Sequence, residues 1–153
     1  MKKCYLAAPF GTPDSKKREN ALKAAEILEK RFEVFKPWDY RVPHAWDYPN
    51  TEWGLMVFMN DVKAIDAAEI VVVLSYGRES TAGTNWEAGY AFGTGKTVIV
   101  VEMMKDSTPE DPADDIMSLM VANGRYATVE GLKGLEEYDF DEMPKTRTNT
   151  EQK

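Results

Sequence analysis

The sequence predicts a doubly wound α/β domain on a mostly parallel sheet, and three observations carry that prediction. Short apolar runs recur along the chain, stretches with helical spacing lie between them, and one run, Ile70 to Leu74, is apolar without interruption. Runs that alternate with helices mark β-α-β units, and a strand with no polar position is one covered by helices on both faces.

The first run, Lys3 to Ala8, is closed by Pro9, Gly11 and Pro13 and reads as a buried strand ending in a loop. Asp14 or Ser15 stands where it can cap a helix, along which Ala21, Leu22, Ala25, Ile27 and Leu28 recur as far as Lys30. Phe32 to Phe35 resumes a strand. Pro37 to Asn50 mixes prolines and aromatic residues with no period, which predicts a long loop with the character of a lid. Thr51 is expected to cap a second helix that turns Leu55, Met56, Phe58, Met59, Val62 and Ile65 inward and leads to a strand from Glu69 to Ser75. Tyr76 to Thr81 then opens a helix from about Gly83 to Gly93, and Thr97 to Glu102 forms the next strand. A polar loop from Lys105 to Pro112, a helix from Ala113 to Ala122, an edge strand from Ala127 to Val129 and a helix from Leu132 to Glu137 follow. This order is that of a flavodoxin-like, five-stranded sheet flanked by helices, whose ligands sit outside the carboxyl ends of the strands. One domain is expected over residues 1–140, with a polar tail at 141–153.

Charge and composition narrow the chemistry. A formal net charge of −7 over 153 residues opposes broad contact with a polyphosphate backbone, so a nucleic-acid polymer is not expected as a partner. One cysteine permits no intramolecular disulfide, and one histidine removes His-cluster metal sites, which leaves carboxylates as the main catalytic repertoire. No N-terminal apolar run suits a signal peptide or membrane span, and the expectation is a cytoplasmic protein that makes no membrane contact. Lys16, Lys17 and Arg18 form a basic run whose ordinary reading is a solvated face.

The most informative stretch is Thr81-Ala-Gly-Thr-Asn-Trp-Glu-Ala-Gly-Tyr-Ala, where a strand end and a glycine-containing turn deliver Glu87 near the first turn of a helix. By pattern alone Glu87 also reads as an ordinary acidic residue favoured there by the helix dipole, an effect of only ~0.3–1 kcal/mol. Asn60-Asp61 interrupts the apolar face of the preceding helix, just before the strand that feeds the Glu87 turn. Two carboxyl groups in one cleft suit the division of labour of retaining glycosidases, one attacking an anomeric carbon and one protonating the leaving group. A solvated helix charge explains Asp61 equally well at this point.

Tyr5-Leu-Ala-Ala-Pro-Phe, Asn60-Asp61-Val-Lys-Ala-Ile-Asp-Ala-Ala-Glu and Gly83-Thr-Asn-Trp-Glu87-Ala-Gly-Tyr-Ala-Phe-Gly-Thr-Gly-Lys96 together resemble the nucleoside 2-deoxyribosyltransferase family over most of the chain. The resemblance implies cleavage of the N-glycosidic bond of a 2′-deoxynucleoside through a deoxyribosyl ester on Glu87, with Asp61 protonating the departing base and Tyr5 holding the Glu87 carboxylate. It implies transfer of the sugar to a second nucleobase, no metal or organic cofactor, and substrate contacts from Asn60, Thr81 and Gly83. It also implies a homo-oligomer, a dimer or a dimer-based assembly, in which a neighbour lends Ser118 or Met120 to the site.

Three positions depart from the transferase pattern. Thr81 stands where the family commonly has an aspartate for the sugar hydroxyls, and Ser118 stands where it commonly has an asparagine. Hydroxyls there resemble the related deoxynucleoside 5′-monophosphate N-glycosidases, so a hydrolase acting on nucleotides is the alternative. Arg41 takes the place of a glutamine that often meets the base, and Trp38, Trp46 and Trp53 are candidate walls of the base pocket. A flavodoxin-like binding or signalling domain without catalysis is the reading from another class.

Overall fold

Five strands form one all-parallel sheet in the order β2-β1-β3-β4-β5. The structure, a computed structural model, describes residues 1–11, 13–104 and 119–141. β1 spans Lys3–Ala7, α1 Ser15–Glu29, β2 Glu33–Phe35, α2 Asn50–Ala67 and β3 Ile70–Ser75. They are followed by α3 (Ala82–Gly93), β4 (Thr97–Glu102), α4 (Leu119–Asn123), β5 (Ala127–Glu130) and α5 (Gly131–Glu137).

The pleat sorts each strand's side chains between two cores, because successive residues point to opposite faces. Cys4, Leu6, Ile70, Val72, Leu74, Ile99 and Val101 pack under α1 and α5, together with Ala21, Ala24, Ala25, Leu28 and Leu135. Tyr5, Ala7, Val71, Val73, Val98 and Val100 pack on the other face against Ile65, Ala68, Ala88 and Ala91 of the α2 and α3 segments. β3 is buried at every position, as its unbroken apolar run requires. Each fully buried Leu, Ile or Val side chain contributes about 1.5–3 kcal/mol, so these two cores supply most of the driving force.

The local rules of the sequence are visible at the element ends. Asp14 caps α1, accepting from the Lys16 and Lys17 amides at 2.9 and 3.4 Å. Gly95, at φ +80°, ends the α3–β4 turn in the left-handed region, and the next amide, Lys96 N–H, reaches back to Ala91 O at 2.9 Å. Gly93 to Lys96 therefore joins a helix to a strand.

Several expectations are corrected. α2 is capped by Pro49 rather than Thr51: the Pro49 carbonyl already accepts from Glu52 and Trp53, both at 3.0 Å, which draws Thr51 into the helix. Leu55, Phe58 and Met59 point outward, as does Leu22 on α1. α2 has apolar residues on every side, so its period cannot name an inner face, and the face that meets the sheet runs instead through Asp61, Ala64 and Ile65. The β2–α2 loop contains two 3-10 turns, Pro37–Asp39 and Ala45–Asp47. The expected loop at 105–112, most of the helix expected at 113–122 and all but the first residue of the tail lie outside the described residues. No described helix is long and apolar enough to cross a membrane.

The order of the strands locates the site. From β1 the chain crosses to β2 through α1, then returns past β1 to β3 through α2, so the carboxyl ends of β1 and β3 form the switch point where doubly wound sheets bind ligands. Tyr5 lies on β1, and α3 follows β3 directly.

Candidate active site

The β3–α3 connection is tied down before it releases α3. Tyr76 N–H donates to Ser80 Oγ at 2.7 Å, Asn20 Nδ2 donates to the Tyr76 hydroxyl at 3.2 Å, and Lys17 Nζ lies 3.3 Å from the Glu79 carboxylate. Lys17 is thus engaged with this loop rather than solvated. Thr81 caps α3: its hydroxyl accepts from Thr84 N–H at 3.3 Å and pairs with the Thr84 hydroxyl at 2.8 Å.

From that cap Glu87 falls in the second turn of α3, one turn later than its sequence context suggests. The second turn aims it back over the sheet. The fully buried Tyr5 reaches up from β1, its ring stacked on Phe35 at 5.4 Å, and donates its hydroxyl to Glu87 Oε2. Burial, and then the Glu87 charge, push the Tyr5 hydroxyl well above the usual phenol range, so it remains a donor.

Asp61 shares a cavity of about 210 Å³ with Glu87, lined also by Phe58, Val62, Ile65, Gly83 and Trp86. Burial pushes the Glu87 carboxyl up to about 7, an effect that Tyr5 opposes and the Asp61 charge reinforces. Burial likewise raises Asp61 to about 6, an effect that the Asn60 side chain opposes. Beyond that contact between neighbours, buried Asp61 Oδ1 and Asn60 Nδ2 have no hydrogen bond of full geometry among the described residues. A buried polar atom left unpaired costs about 1–3 kcal/mol, and such atoms mark places where a ligand's own polar groups complete the pairing. A Cβ built on Gly83 would meet nothing within 4 Å, so the glycine leaves open room beside Glu87.

Of the residues singled out from sequence, Tyr5, Asp61, Gly83 and Glu87 converge, with Asn60 beside Asp61 and Thr81 at the cap of the same helix. Others fall elsewhere. Arg41 lines a separate pocket of about 230 Å³ with Tyr40, His44, Trp46 and Trp53, and Trp46 is 95% exposed there. Trp38 is stacked on Phe10 at 4.6 Å. Met120 is exposed on α4, beside a groove that it lines with Asn85 and Phe92, and Ser118 lies outside the described residues. Sequence reasoning missed Phe58 and Trp86 as site residues. Their spacing was the available signal, since Phe58 and Asp61 are three apart on α2, as Gly83 and Trp86 are on α3.

Comparison with known proteins gives the family and the fold. The family model described as nucleoside 2-deoxyribosyltransferase matches residues 4–140. Among solved structures, a 2-deoxyribosyltransferase from the psychrotolerant bacterium Bacillus psychrosaccharolyticus is 28% identical, with a TM-score of 0.75 over 93% of this chain and 96% of that one. A conserved protein from Enterococcus faecalis V583, 18% identical, shares the fold with a TM-score of 0.65 over 89% of this chain and 98% of its own. No curated protein matches in sequence. With a family match across nearly the whole described fold and a deoxyribosyltransferase of the same architecture, the chain belongs to the nucleoside 2-deoxyribosyltransferase family.

Proposed function

We propose that this protein transfers 2-deoxyribose between nucleobases by double displacement on Glu87. The observation that carries the proposal is the convergence of a tyrosine-held glutamate and a second carboxyl in one cavity at the switch point of the sheet. In the first step a Glu87 carboxylate oxygen bonds to C1′ as the C1′–N bond breaks, and the departing base takes a proton from Asp61. In the second, a nitrogen of an incoming base attacks C1′, the ester bond breaks, and the proton returns to Asp61. Tyr5 fixes the attacking carboxylate, so less freedom is lost on reaching the transition state. Asn60 and Asp61 pair with the base edge, and Gly83 leaves room for the sugar. A 2′-hydroxyl would withdraw electrons from the oxocarbenium-like transition state, which favours deoxy substrates.

The cavity, about 210 Å³, is smaller than the ~300–1,000 Å³ typical of whole ligand pockets. That supports a homo-oligomer in which a neighbouring chain completes the site with Ser118 or Met120. Mass spectrometry of protein quenched during turnover tests the central step: a deoxyribosyl adduct on Glu87 is the expected result, and turnover without any adduct there overturns it.

A second reading, hydrolysis of deoxynucleoside 5′-monophosphates, is favoured by one observation. A hydroxyl, not a carboxylate, caps the twelve-residue helix α3, whose first amides and dipole suit a phosphate. Comparing kcat/KM for nucleosides and their monophosphates in the native protein and in Thr81→Asp separates the two. A native preference for the free nucleoside, unchanged by the substitution, removes the nucleotide reading.

A further inference from the structure

Four side chains on the outer edge of the site form a continuous strap between the two helices that carry the carboxyls. Phe58 of α2 meets Trp86 of α3 edge to face at 5.3 Å, and Trp86 stacks on Tyr90 at 5.3 Å and 7°. The Tyr90 hydroxyl returns to α2, donating to Asp66 Oδ1 at 2.7 Å, and Lys96 Nζ fixes the same residue through its carbonyl at 2.6 Å. Phe58 and Trp86 line the cavity with Asp61 and Glu87, yet are 46% and 48% exposed. Each ring therefore borders the cavity while much of its own surface stays exposed, and the pair forms part of the cavity's rim.

From this geometry we infer that the Phe58–Trp86 pair is the water barrier of the site and decides whether the deoxyribosyl ester is passed to a base or to water. The inference rests on the double-displacement reading. In the unwanted branch a water oxygen bonds to C1′, the C1′–Oε bond breaks, Asp61 takes the water's proton, and free 2-deoxyribose leaves with Glu87 regenerated. A phenyl ring has no polar group and an indole only an N–H donor, so neither can accept a proton or a hydrogen bond from water, whereas a small residue at either place opens a path.

The test follows a deoxynucleoside and a second base to their products, recording released donor base, new nucleoside and free 2-deoxyribose for the native protein, Trp86→Ala, Trp86→Phe and Phe58→Ala. The expected result is a tenfold or larger rise in the ratio of free sugar to new nucleoside for both alanine variants, with Trp86→Phe close to native. A merely structural defect would slow both branches together and leave that ratio unchanged, whatever happens to release of the first base. Ratios within twofold of native in both alanine variants, or a native protein that already sends most of its sugar to water, would overturn the inference. Failure of the parent reading looks different: no adduct on Glu87 in any of the four proteins.

Discussion

The two faces of the sheet are built to opposite rules. Under α1 and α5 the buried set is aliphatic apart from Cys4 and Phe32, with Asn20 as the buried polar side chain of α1, and what α1 turns to water is mainly charged. Under α2 and α3 the order is partly inverted, with Asn60, Asp61 and Glu87 turned toward the sheet while Leu55, Phe58, Met59 and Trp86 are exposed. One face maximises burial, and the other gives up some of it to hold two partly buried carboxyls beside the sheet. The comparison separates what keeps the protein folded from what the proposed mechanism uses.

The largest effect expected from breaking that contrast is on the reactive side. Glu87→Gln keeps the shape and an acceptor for Tyr5 but loses the attacking charge, and nucleoside turnover should fall roughly 10³-fold or more. Steady-state kinetics checks this, and turnover within tenfold of native would remove Glu87 from the mechanism. Asp61→Asn should cost roughly 10²–10⁴ on a natural nucleoside but little on a deoxyribosyl donor whose leaving group needs no proton. The pH profile sharpens the assignment. Glu87 must be ionised and Asp61 protonated, so kcat/KM should fall on the acid side as Glu87 takes up its proton and on the alkaline side as Asp61 loses its own. With Glu87 near 7 and Asp61 near 6, a singly protonated pair keeps its proton mainly on Glu87, so the reactive form, with the proton on Asp61, is the minor one, and its population peaks between the two values. Asp61→Asn should abolish the alkaline limb alone, and a bell that survives the substitution would assign that limb to another group.

On the other face the expected effect is on stability. Leu28→Ala should cost about 2–5 kcal/mol in urea unfolding, whereas Leu55→Ala, at an exposed position of α2, should stay within about 0.5 kcal/mol. Equal costs would erase the distinction between the faces. A smaller effect links the two. Glu87 ionises near 7 when folded against an ordinary value of 4.5, so the folded state holds this proton more tightly, and stability is lost as pH rises from about 4.5 to about 7. Glu87→Gln has no charge to bury and should exceed the native protein by about 1–3 kcal/mol at pH 8, with the gap closing below pH 4.5. Thermal unfolding across that range measures it, and a gap independent of pH would refute the burial account.

The sheet was legible in the sequence for a physical reason, since short parallel strands need unbroken apolar runs, whereas the convergence of Tyr5, Asp61 and Glu87 was legible only through the family resemblance, because by pattern alone both carboxyls read equally well as ordinary helix charges. The orientation of α2 was not. A helix apolar on every side has no period to read, so only packing reveals that Asp61 turns inward and Phe58 outward. The β2–α2 loop was equally opaque, because prolines and aromatics report a break in regular structure without saying where Arg41 and Trp46 come to rest. Phe58 and Trp86 escaped notice because an aromatic residue three positions from a polar one is ordinary in any amphipathic helix.

Tyr5 and Glu87 meet across 82 positions of chain, and their contact passes through a strand that sits in the middle of the sheet. On a ribosome the tyrosine emerges first and waits, with no carboxylate to hold, until β3 has been made, has paired with β1 and has been followed by α3. On the proposed mechanism catalytic competence cannot precede assembly of the sheet's centre, so in a refolding experiment nucleoside turnover should return no earlier than β3 docks against β1.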